Sequence, residues 1–132
     1  MQLATINGDQ PWICTVYFVA DEAFNIYWTS TKSRQHSKEI VNHSKVAITV
    51  VKDSELKQAL QIVGNAYMVE DEDIERIHNL YGVKFGDKPE RLLEARSVDP
   101  NGRAYWWFKP TNISLWDEVN FPDSPKQEFP VI

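Results

Sequence analysis

Cysteine is nearly missing from this chain: Cys14 is the only one among 132 residues. A lone cysteine excludes an intrachain disulfide and any structural zinc site built on several thiolates, and makes the cytoplasm the default setting. Histidine is scarce as well, with three in all. His36 and His43 stand two helical turns apart, too far to share a small ion, and neither His-Glu-x-x-His nor Cys-x-x-Cys occurs, so no metal site is expected. No Gly-x-Ser-x-Gly marks a nucleophile. An excess of positive charge is also missing. Fourteen Lys and Arg against 19 Asp and Glu give a net charge of −5, which disfavours a nucleic-acid partner. Long apolar runs are absent: nothing approaches the roughly 18 uninterrupted residues of a membrane span. No basic-then-apolar leader precedes the first folded segment, so neither a membrane location nor a secretory signal is expected.

What is present is an ordinary globular balance, 42% apolar and 25% charged, in a length that suits one domain. Aromatics reach 12% with five Trp, which suggests a large aromatic core or a flat ligand to stack against. The first half reads as strands. Gln2 to Ile6 leads into Asn7-Gly8, a hairpin signal of the type I′ kind. Trp12 to Val19 and Phe24 to Thr29 follow, predicting a three-stranded meander. A short helix is expected over Ser33 to His43, with Ser33 as N-cap. Lys45 to Val51 and Gln58 to Val69 are strands, the latter with Gly64 at a bulge or barrel corner. The acidic run Glu70 to Asp73 suits the start of a second helix better than general acid–base work, and Gly82 is its expected end. Pro89 to Ala95 predicts a third helix. Two strands, Ala104 to Lys109 and Asn112 to Val119, flank Pro110. The expectation is a mainly β protein: an antiparallel barrel of about seven strands with a few helices, over residues 1–120. An extended tail follows over 121–132.

The stretch Tyr27 to Lys38, YWTSTKSRQHSK, carries the most chemistry. Hydroxyls at Thr29, Ser30, Thr31 and Ser33 are followed by Lys32, Arg34, Gln35, His36 and Lys38 at the start of a helix. Unpaired N–H groups and the positive end of the helix dipole favour an anion there, and a guanidinium grips phosphate with two parallel hydrogen bonds. A phosphate monoester is the natural guest. A polar loop with solvated charges accounts for the same residues. Elsewhere the simplest reading of Cys14 is inert packing, and Tyr105-Trp106-Trp107-Phe108 should alternate between the two faces of a strand, chiefly as core or subunit packing.

The order of segments PWICTVYFVAD, FNIYWTSTKSRQHSKEIVNHSKVAITV and LQIVGNAYMVEDE after an Asn-Gly turn resembles the pyridoxamine 5′-phosphate oxidase-like family of FMN-binding split β-barrels. The resemblance covers residues 1 to about 119 and is strongest to the short branch of general stress proteins. It implies a homodimer with FMN in clefts between the subunits, and a flavin-dependent oxidoreductase acting on a small-molecule redox substrate. It further implies that Ile13, Cys14, Thr15, Val16 and Tyr17 run along the flavin ring, and that Trp28, Thr29 and Ser30 touch the ring and ribityl chain. The phosphate segment falls on Ser33, Arg34 and Gln35 in one alignment and on Arg34, Gln35 and His36 in another, with Lys38 a turn beyond. Gln61 shares the face of a family glutamine, Trp116 approaches the flavin of the other subunit, and Arg103 is a minor candidate. No side chain is assigned a catalytic role. Phe18 stands where the true oxidase has a basic residue, and Pro122 to Ile132 lacks its substrate-binding Arg–His region, so vitamin B6 phosphates are expected to be poor substrates. Alternatives are a deazaflavin- or haem-binding protein on the same fold, a flavin store or sensor, or a cofactor-free interaction module.

Overall fold

The computed structural model describes residues 1–131. Strands β1 (Gln2–Asn7) and β2 (Gln10–Thr15) form a hairpin in which Asn7 faces Gln10. Its two central residues are therefore Gly8 and Asp9, and only Gly8 has positive φ, at 61°. That is the pattern of a type II′ turn, with glycine first, rather than the expected I′ turn. After a break at residues 16–18, where Val16 is bonded to the Met1 backbone, come the two-residue β3 (Val19–Ala20) and β4 (Ile26–Thr31). Helix α1 (Gln35–Asn42) precedes β5 (Lys45–Val51) and β6 (Gln58–Met68). Helices α2 (Asp71–Phe85) and α3 (Pro89–Ala95) lead to β7 (Arg103–Asp117), and β8 (Lys126–Pro130) closes the described chain.

All strand pairs are antiparallel, in the order β2-β1-β5-β6-β7-β4-β3, with β8 added to the far half of β7. The two edges, β2 and β3, are neighbours in the chain. Four Cα steps join Thr15 to Val19, at most about 14 Å, so the sheet must curl until its edges approach. The result is a split antiparallel β-barrel. The expected meander of the first strands does not form: β4 lies at the opposite edge from β2, paired with β7. A local pattern cannot choose between a neighbour and a strand across the barrel. Core packing can, and it sets the fully buried Trp28 opposite Trp106.

Strands β4 and β7 are covered on both faces, and alternation sorts their aromatics. Ile26, Trp28, Trp106 and Phe108 fill the barrel with Leu3, Ile48 and Ile62. Tyr27 and Tyr105 face the other way, onto Ile74, Ile77 and Tyr81 of α2. Two expected boundaries move. Strand β7 runs unbroken through Pro110, because the missing N–H falls beside a bulge: Val63 pairs with Asn112 and Gly64 with Pro110, leaving Thr111 as the extra residue. Helix α2 passes Gly82 and ends at Gly86, whose φ of 81° suits a glycine and whose N–H reaches the Gly82 carbonyl at 2.8 Å. The tail is extended, and residues 126–130 of it pair with β7 as strand β8.

Gly64 is where β6 and β7 press closest. A Cβ there would run into the Lys109 carbonyl and lie 2.9 Å from the Pro110 Cα, both backbone. A Cβ on Gly82 would meet nothing nearer than 3.7 Å. Gly64→Ala should therefore cost about 1–3 kcal/mol of stability through overpacking. Gly82→Ala, in a helix, should add about 0.5–1 kcal/mol. Urea unfolding of the two variants checks this, and equal shifts would contradict the bulge geometry.

Candidate functional site

A cleft of about 930 Å³ opens where the end of β4, the start of α1 and the β2 edge meet the α2–α3 wall. This lies within the roughly 300–1,000 Å³ of small-molecule sites. Helix α1 begins without help from its neighbours. Its N-cap is Arg34 in extended conformation, no side chain caps the first turn, and no acid stands in that turn. Ser33, expected as the cap, is exposed and makes no such bond. Side chains therefore leave the helix's leading N–H groups free for a guest, in a positive field.

His36, on the first turn, is 8% exposed and its Nε2 lies 2.8 Å from the Ser30 Oγ at the end of β4. Burial, then the neighbouring Arg34 charge, lowers its pKa, opposed by Glu39. The buried Glu39 carboxylate lies behind the helix. It accepts from Thr5 Oγ1 at 2.5 Å and from Gln35 Nε2 at 3.0 Å, which fixes the Gln35 amide. Burial, then Glu39, raises the Cys14 thiol, so Cys14 lines the cleft as a neutral thiol.

Of the residues named from the sequence, Cys14, Thr15, Val16, Tyr17, Thr29, Ser30, Arg34, Gln35 and His36 line this cleft, and Arg103 joins them. Trp28 does not. Its position in β4 points it into the barrel, where it is fully buried. Ser33 and Lys38 line a separate cavity of about 550 Å³ on the other side of α1, and Gln35 borders both. Ile13 is 63% exposed and points away from the cleft, since neighbours on a strand alternate. Gln61 and Trp116 lie toward the far end of the β6–β7 ladder, where Trp116 pairs with Ala59. Trp116 is thirteen positions along β7 from Arg103, roughly 40 Å of strand. Neither Gln61 nor Trp116 lines the cleft.

The sequence reading missed Trp12, which borders the cleft from β2, and the whole opposite wall: Tyr81, Phe85, Lys88 and Arg91. Arg91 is 7% exposed, its Cζ sits 5.2 Å over the Tyr81 ring, and its Nη1 is buried without a partner. No periodicity could reveal that α3 turns a cation into the cleft, although an Arg on so short a helix was a usable signal. Among the described residues Arg34, Lys88, Arg91 and Arg103 set four cations against no lining carboxylate, and of the four Arg103 forms an ion pair, with Glu94 at 3.3 Å. The cleft can hold a ligand with an anionic end and a flat apolar body against Trp12, Tyr17 and Phe85. Among the described residues no group of three or more His, Cys, Asp or Glu side chains could hold a metal ion, and no helix is long and apolar enough to cross a membrane.

A family model described as pyridoxamine 5′-phosphate oxidase matches residues 1–117. No curated protein matches the chain. Among solved structures, general stress protein 26 from Bacillus anthracis superposes with a TM-score of 0.61 at 16% identity, over 86% of this chain and 81% of that one. A pyridoxamine 5′-phosphate oxidase-related, FMN-binding protein from Nostoc punctiforme gives 0.66 at 13%, over 96% and 76%. A haem-binding protein from Mycobacterium smegmatis gives 0.70 at 11%, over 98% of this chain and 51% of the other.

The lowered pKa of His36 sets a pH dependence. The folded state refuses a proton that the unfolded chain accepts, so stability should fall as pH drops below the ordinary histidine range of about 6.5. Arg34→Ala should move the His36 pKa upward, read by NMR titration of the ring. An unchanged value would remove Arg34 as a cause.

Proposed function

Because the chain belongs to the pyridoxamine 5′-phosphate oxidase family, we propose that it is a cytoplasmic, homodimeric FMN-binding oxidoreductase that uses this cleft. The observation that carries the reading is the uncapped start of α1 with Arg34, His36 and Ser30 converging on it, facing a cationic wall. These residues fit the group. A phosphate monoester needs several N–H and O–H donors and positive charge, and a flavin ring needs a flat apolar bed, which Val16, Tyr17 and Phe85 supply. The buried Nη1 of Arg91 is left wanting an acceptor such as an anionic ligand provides.

In this reading Arg34, Ser30 and the leading N–H groups of α1 hold the phosphate. His36 stays neutral, because burial and Arg34 oppose its protonation, and it can give or take one hydrogen bond at Nδ1 while Nε2 stays with Ser30. The backbone of Thr15 to Tyr17 lies along the ring edge. When bound, FMN supplies reversible electron transfer between a nicotinamide donor and a small-molecule acceptor. The protein's share is orientation and exclusion of water. Gln61 and Trp116 do not line their own cleft, and in this reading they serve the partner's. The haem-binding neighbour raises a second reading, in which His36, the histidine that lines the cleft, would ligate a metal through Nδ1, or through Nε2 on releasing Ser30. The visible spectrum of the purified protein separates the two, since each chromophore has its own bands.

Fluorescence-quenching titration with FMN tests the anchor. Arg34→Ala should weaken binding roughly tenfold to a hundredfold, as expected for a lost charge-assisted contact of about 1.5–3 kcal/mol. Wild-type affinity in that variant would remove Arg34 from the site. Light scattering tests the assembly. The expected mass is about 30 kDa, twice the chain, and a monomer that still binds FMN at micromolar concentration would contradict the shared cleft.

A further inference from the structure

The two edges of the split sheet, β2 and β3, are joined by residues 16–18, which belong to no strand. This link is also part of the cleft, which Val16 and Tyr17 line. Val16 is tied down, its N–H donating to the Met1 carbonyl at 3.0 Å. Tyr17 is 78% exposed. A large ring so open to water has little to hold it, yet it stands edge-on to Phe85, with the centroids 5.6 Å apart and the planes at 61°. Phe85 leans in turn on Tyr81, centroid to centroid at 4.6 Å. Tyr17, Phe85 and Tyr81 make one aromatic row along the cleft, and its outer member sits on backbone that no ladder holds.

The residue after Tyr17 shows what keeps it in place. Phe18 packs on the barrel core, whereas Phe85 packs on the outer core around α2. Lys84, in the last turn of α2, stands between them. Its Nζ donates to the Phe18 carbonyl at 2.8 Å and lies 4.5 Å from the centre of the Phe18 ring and 5.2 Å from that of Phe85. An ammonium bonded to a carbonyl and drawn to two ring faces makes contacts that a neutral side chain of the same length would not. It fastens the link to α2 at the residue beside Tyr17. Lys84 itself does not line the cleft.

We propose that Lys84 is a positioning residue: by holding Phe18 against the end of α2 it sets Tyr17 edge-on to Phe85, and so shapes the apolar bed for the flat part of a ligand. The anionic end falls to Ser30, Arg34 and the start of α1, on other elements, and is indifferent to Lys84. The proposal rests on the reading that the cleft takes a flat ligand, but the contacts of Lys84 are present without one.

Two sets of measurements on the full chain test it. In the ligand-free protein, NMR should show nuclear Overhauser contacts between the rings of Tyr17 and Phe85. Lys84 is exposed, so its variants should fold. Lys84→Met should abolish the ring contacts, and Lys84→Arg, which keeps a charge and a donor, should retain them. Contacts that persist in Lys84→Met overturn the proposal, as does their absence from the wild type. Ligand titration is the second arm, at physiological salt, which screens the bare charge of Lys84. Lys84→Met should weaken FMN binding about three- to tenfold, the worth of one aromatic contact, and leave the affinity for inorganic phosphate unchanged. Tyr17→Ala should weaken FMN binding at least as much, and adding Lys84→Met to it should cost nothing further, because Lys84 acts through that ring. Losses that multiply in the double variant, or an equal loss for inorganic phosphate, sink the positioning role. A wild type that ignores FMN, with the ring contacts as expected, would sink the cofactor reading and leave the setting of Tyr17 by Lys84 standing.

Discussion

The close approach of β6 to β7 at Gly64 is the constraint on which the rest of the architecture depends. With no Cβ in the way, the two backbones meet, Thr111 is extruded as a bulge, and Pro110 can sit in mid-strand without leaving a partner short of a hydrogen bond. A bulge adds bend and right-handed twist. One strand of fifteen residues can therefore serve two neighbourhoods: its first half pairs with β4 and carries the aromatics of both cores, and its second half pairs with β8. The curl that brings the β2 and β3 edges toward each other follows from that twist, and the cleft lies along the resulting split.

Electrostatics in the cleft are arranged in depth. The outer layer is cationic, from Arg34, Lys88, Arg91 and Arg103. Behind it lie two polar systems, one around the buried Glu39 and one around the buried His78. On one side Glu39, bonded to Thr5 and Gln35, steadies the first turn of α1. On the other, His78 is bonded to Asp87 and to the Tyr105 hydroxyl. Charges near one another cannot all face a guest without something holding them, because their mutual repulsion would scatter them into solvent. Burying the Glu39 carboxylate and the His78 imidazole costs desolvation, which their hydrogen bonds offset.

The same logic accounts for what the α2–α3 segment contributes. It packs on the outer face of β4 and β7 through Ile74, Ile77 and Tyr81 against Tyr27 and Tyr105. Having been anchored by apolar contact, it can present Phe85, Lys88 and Arg91 toward the cleft. Family resemblance and superposition agree on the barrel, with neighbours that bind different ligands. Side chains lining the cleft, rather than the fold, decide which ligand is taken.

Several features were legible in the sequence because they are decided within a few residues. Gly8 supplies a turn that needs positive φ, Val46 to Val51 has the branched side chains of a buried strand, Gly64 interrupts a strand where only glycine fits, and Pro89 opens a helix at its first turn. The donor-rich run from Thr29 to His36 was equally local, and most of it lines one cleft. What the tertiary structure alone decided concerns residues distant along the chain. Whether Trp28 faces a flavin or a core depends on its partner across the sheet being Trp106, and β4 gives no sign of that pairing. Gly82 stays helical because Tyr81 and Phe85 on either side have surfaces to pack on, while Gly86 has the positive φ. Arg91 becomes a site residue only because α3 is folded back over β7, and its buried Nη1 gains meaning only from what surrounds it. Local sequence fixes backbone preference and the supply of donors. Which donors meet is set by burial, and burial is a property of the whole packed chain.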